Sequence, residues 1–81
     1  MKRIYNEWRS FENSVLIPIG ASRLQRREMR RAFYAGAQRL FAVMVNGASD
    51  QEDVTEADLQ MMEGISQELD QFARDVRSGK A

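Results

Sequence analysis

Apolar side chains return every three or four positions in three separate stretches of this chain, a rhythm that belongs to helices and to nothing else. In the first stretch Met1, Ile4, Trp8, Phe11 and Val15 fall on one helical face. Pro18 disfavours helical geometry in the residue before it and Gly20 follows, so this helix is expected to stop at Ile17. Ser22 and Gln25 then stand three apart as a capping box, the hydroxyl taking a backbone N–H and the amide reaching back. From there Met29, Phe33, Gly36, Leu40 and Val43 repeat the spacing up to a stop expected at Asn46-Gly47. A polar loop runs from Gly47 to Asp53, after which Thr55 reads as the next cap, with acids in the first turn and Val54 placed to staple onto Leu59. Met62, Ile65, Leu69, Phe72 and Val76 carry the last stripe to a loose tail, Ser78 to Ala81. No strand is needed anywhere.

The expected fold is therefore all-α, one domain over residues 1–81 with helices at about 2–17, 23–46 and 56–77. It closes either as an antiparallel three-helix bundle or as a helical hairpin with a packed N-terminal helix, and self-association to an oligomer is left open. Folding the chain at each short loop brings Trp8 to Phe33, Phe11 to Met29 and Ile4 to Gly36. The second fold brings Phe33 to Leu69, Leu40 to Met62 and Met29 to Phe72. The first helix, about 16 residues long, rises ~24 Å, whereas the second, about 24 residues, rises ~36 Å. Helix one thus runs out near Leu40, and the run Leu40-Phe41-Ala42-Val43-Met44-Val45 beyond it is apolar on every face. Phe41, Met44 and Val45, with Leu59 and Met61 across the hairpin, form a candidate apolar interface. The alternative is that Ile17-Pro18-Ile19 or the interhelix loop folds over that end.

Composition removes much chemistry. The chain has no cysteine and no histidine, which excludes disulfides, thiolate nucleophiles, imidazole bases and ordinary zinc sites. Its lysines are Lys2 and Lys80 alone, near the ends, where neither a buried catalytic lysine nor a phosphate-loop lysine is expected. The carboxylates Glu56, Asp58, Glu63, Glu68 and Asp70 sit mostly off the apolar stripe, so no pair is forced together where a shifted pKa could arise. Ser10, Ser14, Ser22, Ser49, Ser66 and Ser78 have no base to activate them. No catalytic residue, cofactor site or metal site is assigned, and the chain is read as non-enzymatic. It has no apolar run of membrane-spanning length and no secretory leader, so the expected setting is the cytoplasm.

The net charge of zero hides a dipolar chain, +6 over residues 1–39 and −6 over residues 40–81. Most of the positive charge lies in Arg23, Arg26, Arg27, Arg30 and Arg31, which with Tyr34 fill one arc of the second helix. Guanidinium forks suit phosphate and carboxylate, and a tyrosine suits stacking on a base, so this arc is a candidate basic binding face. The competing reading is that Glu68, Asp70 and Asp75 on the antiparallel third helix neutralise it. A helix-turn-helix arrangement through Pro18-Ile19-Gly20-Ala21 is disfavoured by Glu28 and by zero net charge. Ala32, Ala35, Gly36 and Ala37 make a small-residue patch, read as room for Trp8, with a dimer seam or shallow pocket as the alternative.

Trp8-Arg9-Ser10-Phe11, followed by Gln25-Arg26-Arg27-Glu28-Met29-Arg30-Arg31-Ala32-Phe33-Tyr34-Ala35-Gly36-Ala37, resembles small all-helical proteins encoded in tailed-phage and prophage genomes. That resemblance implies no catalytic motif. It implies the cytoplasm of an infected bacterium as the setting, and a host protein, including components of antiviral defence, as the kind of partner. Two alternatives stand beside it: a nucleic-acid or nucleotide-signal binding module using the arginine face, and a structural or assembly component of the virion.

Overall fold

A computed structural model describes residues 2–48 and 54–81, so the expectations for Met1, for Ser49 and for the loop residues up to Asp53 lie outside the described residues. The chain is all-α. Helix α1 spans Arg3–Phe11 and runs on into a π-helical turn, Glu12–Leu16; α2 spans Arg23–Ala48 and α3 spans Glu56–Arg77. Among the described residues there is no strand, and no helix is long and apolar enough to cross a membrane. The Ser22 capping box forms, and Thr55 caps α3 in a second one: Gln25 N donates to Ser22 Oγ at 3.1 Å while Ser22 N donates to Gln25 Oε1 at 2.8 Å. At α3, Asp58 N donates to Thr55 Oγ1 at 3.1 Å and Thr55 N to Asp58 Oδ2 at 3.3 Å. Asn46-Gly47 does not end α2, which continues to Ala48. Gly47 keeps a negative φ there, so the left-handed geometry that makes glycine a stop signal is not adopted.

The π turn changes which residues face inward. Ile17 N donates to Glu12 O at 2.9 Å, a reach of five residues in place of four. One extra residue per turn moves the inward position from Val15 to the next residue, so Leu16 is 2% exposed and Val15 is 41% exposed. The unbroken stripe ending at Val15 is thereby corrected. Leu16 joins Ile4, Trp8, Tyr34, Leu69, Phe72 and Ala81 in the core, with Phe11, Phe33, Ala37, Phe41, Ile65 and Val76 packed against it.

Packing of α2 also departs from a single stripe. Trp8 meets Phe33 edge-on at 5.6 Å between ring centroids, as the folded register predicts, but Phe11 stacks on Phe33 at 5.9 Å where Met29 was expected. On the α3 side it is Tyr34 that stacks on Phe72, at 3.9 Å, so the expected Phe33–Leu69 and Met29–Phe72 pairs do not set the register. Leu40 and Met29 are exposed. A helix with two neighbours needs a wide buried arc, and adjacent residues stand about 100° apart around a helix. Phe33 therefore serves α1 while Tyr34 serves α3. Gly36 is exposed, with nothing within 4 Å of the place a Cβ would take, so it makes no room for Ile4 or Trp8.

Two ends are held by contacts distant in sequence. No side chain caps α1 locally; instead Glu68 of α3 accepts from Ile4 N at 2.9 Å and from Tyr5 N at 2.8 Å, a carboxylate at the positive end of the helix dipole. The residues after α3, expected to be a loose tail, form a Schellman turn. Gly79 adopts a φ of 79°, Gly79 N donates to Val76 O at 3.1 Å, and Lys80 N donates to Asp75 O at 2.8 Å. That turn folds Ala81 back against α2, where it is 8% exposed.

Candidate functional site

The arginine-rich start of α2 distributes its side chains among four environments. Arg23 is exposed and has no partner among the described residues. Arg26 approaches Glu12, with Nη1 3.8 Å from Oε2, and Glu12 also faces Arg9 Nε at 3.6 Å. Arg27 and Arg31 both donate to the main-chain oxygen of Ala81, Arg27 Nη2 at 3.2 Å and Arg31 through Nε at 3.0 Å and through Nη2. The guanidinium of Arg30 lies over three rings, 5.9 Å from Tyr5, 5.7 Å from Tyr34 and 5.2 Å from Phe72, within cation–π range of each.

Direct pairing with the acidic helix does not form. Among the described residues no ion pair joins an α2 arginine to α3; both pairs formed end on Glu12. Glu68 is committed to the start of α1 and to the Tyr34 hydroxyl, which donates to Oε2 at 3.5 Å, and Asp75 accepts from Gln71 Nε2 at 2.9 Å. Asp70 lines a separate groove with Phe41 and Val45, toward the other end of the hairpin. Tyr34 leaves the candidate basic face altogether, being buried against Phe72 and Arg30. Burial, then the negative charge of Glu68, push its phenol up from 10.0 to about 12, against the opposing influence of Arg30.

What remains is a cationic groove of about 330 Å³ where α1, the first turns of α2 and the folded-back tail meet. Arg9, Arg23, Arg26, Arg27, Arg30 and Lys80 line it, against a single acidic side chain, Glu12. The contribution of Lys80 is not legible in the sequence, because it depends on the Schellman turn that reverses the tail. Among the described residues no group of three acidic side chains is placed to hold a metal ion.

The second candidate surface lies at the far end of α2. Met44, Val45, Leu59 and Met61 are exposed, as are Leu40 and Val43 at 62% and 68%, while Phe41 is half-buried against the core. The segment Ile17-Pro18-Ile19 does not cover this end, because it precedes α2 and sits by its first turn. There Ile19 and Leu24, both exposed, border a shallow groove with Leu16, Ala21 and Met29, an apolar patch that a strict stripe reading passes over. The signal for it in the sequence is the apolar residues Ile17, Ile19 and Leu24 placed off the helical stripe. No family model, curated protein or solved structure matches this chain.

Proposed function

We propose that this chain is a non-enzymatic interaction protein that binds a partner protein through the apolar end of the α2–α3 hairpin. One observation carries the reading: Leu40, Val43 and Met44, three or four residues apart on one face of α2, stand exposed toward the end of the hairpin, and Val45, Leu59 and Met61 are exposed on other faces of the same end. Isolated exposed apolar residues are ordinary, but a contiguous cluster on a small domain is the usual mark of a contact surface. Methionines in it suit a surface that adapts to its partner. From the resemblance to accessory phage proteins, the partner is a host protein in the bacterial cytoplasm, and a component of antiviral defence is the specific candidate.

Affinity capture from bacterial host extract, with nuclease treatment, tests the reading when run beside two variants. A protein captured by the parent and by Arg23→Gln, but lost with Val43→Glu plus Met44→Glu, supports it. Capture that survives the double substitution, or that vanishes with nuclease, overturns it. Light scattering of the free protein separates a host partner from a second copy: loss of a dimer on the double substitution assigns the surface to self-association instead.

A further inference from the structure

The contact made by Ala81 indicates what the other end of α2 can hold. A single oxygen there receives N–H groups from two arginines one helical turn apart, and it does so in a nearly buried position. Guanidinium forks grip phosphate and carboxylate oxygens in this manner. The donors around that oxygen are not exhausted by it. Arg23 is without a partner among the described residues. Arg9 and Arg26 share the one carboxylate of Glu12 and Arg23 has none, so an incoming anion is favoured at this place.

We propose that the groove is a binding site for a compact polyphosphate anion, of the class of a nucleotide's di- or triphosphate, in which the Ala81 main-chain oxygen holds one of the oxygen positions. Six cationic side chains against Glu12 call for several negative charges in a small volume, which a polyphosphate provides and a lone carboxylate does not. The volume of about 330 Å³ falls at the small end of the ~300–1,000 Å³ common for small-molecule sites, and it is closed at one side by the tail. An extended nucleic-acid strand would need a longer basic track, and a chain of zero net charge offers it no long-range attraction. The groove lies ~25 Å along α2 from Met44, so this site stands independently of protein binding at the apolar end.

Calorimetric titration of the full chain with inorganic pyrophosphate and tripolyphosphate, at low ionic strength, tests the site. The expected result is one ion per chain, tighter for tripolyphosphate, with affinity falling as salt is added. Arg23→Gln and Arg27→Gln should each weaken tripolyphosphate about tenfold, the loss expected for one charge-assisted contact. Arg23 makes no hydrogen bond or ion pair among the described residues, so its variant should keep the parent's circular dichroism and separate ligand loss from unfolding. Arg39→Gln, outside the groove, should leave affinity within about twofold, since exposed charges at that distance are largely screened. Absence of saturable binding overturns the proposal, as does an Arg39→Gln loss equal to that of Arg23→Gln, which would mean diffuse attraction. Stronger binding of a 20-nucleotide single strand than of tripolyphosphate would overturn the small-ligand assignment in favour of nucleic acid.

Discussion

Replacing Glu68 by alanine leaves the N–H groups of Ile4 and Tyr5 without the acceptor that ends α1, and the expected cost is about 1–3 kcal/mol in urea denaturation. Glu68→Gln keeps one acceptor oxygen and should fall between parent and alanine variant. Tyr34 gives a pH dependence of definite sign. Its folded phenol titrates at about 12 against 10.0 unfolded, so the stability it contributes is whole below pH 10 and is lost as pH rises from there through about 12. Spectrophotometric titration should resolve one late tyrosine that disappears in Tyr34→Phe, and the alkaline loss of stability should shrink with it. This residue also marks where reading the sequence failed. Tyr34 follows Phe33 directly and adjoins five arginines, so a wheel centred on Phe33 assigns it to the basic arc. Only the presence of α1 and α3 on two sides of α2 tells which of the adjacent aromatics faces which neighbour.

Elements were legible where local chemistry decides them. Ser22 with Gln25 and Thr55 with Asp58 start their helices by hydrogen bonds three residues apart, and α3 buries Leu69 and Phe72 on the stripe their spacing defines. The π turn was not legible, since Glu12-Asn13-Ser14-Val15-Leu16 offers two apolar neighbours, either of which could close the stripe. Substitution distinguishes them. Leu16→Ala should cost about 2–5 kcal/mol as a buried truncation, and Val15→Ala less than about 1 kcal/mol. An uninterrupted α-helix would reverse that order, so urea midpoints of the two variants read out the winding directly. The reversed tail follows the same logic: Gly79 was visible, but the arginine contacts that give the Schellman turn its use come from α2, some fifty residues earlier in the chain.

At the scale of the whole molecule, 6263 Å² of accessible surface exceeds the ~5,000 Å² expected for a compact monomer of this mass, and the Cα radius of gyration of 14.6 Å exceeds the ~12 Å expected for its length. The excess belongs to a hairpin longer than the helix packed on it, a mismatch that element lengths in the sequence do predict. Because Val43 and Met44 bury little, Val43→Glu plus Met44→Glu should change the unfolding free energy of the isolated monomer by less than about 1 kcal/mol, measured by urea titration. The distant cap on α1 bears on how the molecule is made. A nine-residue helix without its own cap is too short to persist alone in water, and its acceptor lies 63 and 64 residues downstream of the groups it satisfies. During synthesis α1 must wait for α3, which leaves the ribosome after it. Folding of α1 is thus expected to be the closing event, so substitutions at Ile4 should speed unfolding while leaving the folding rate almost unchanged, read from folding and unfolding rates in urea.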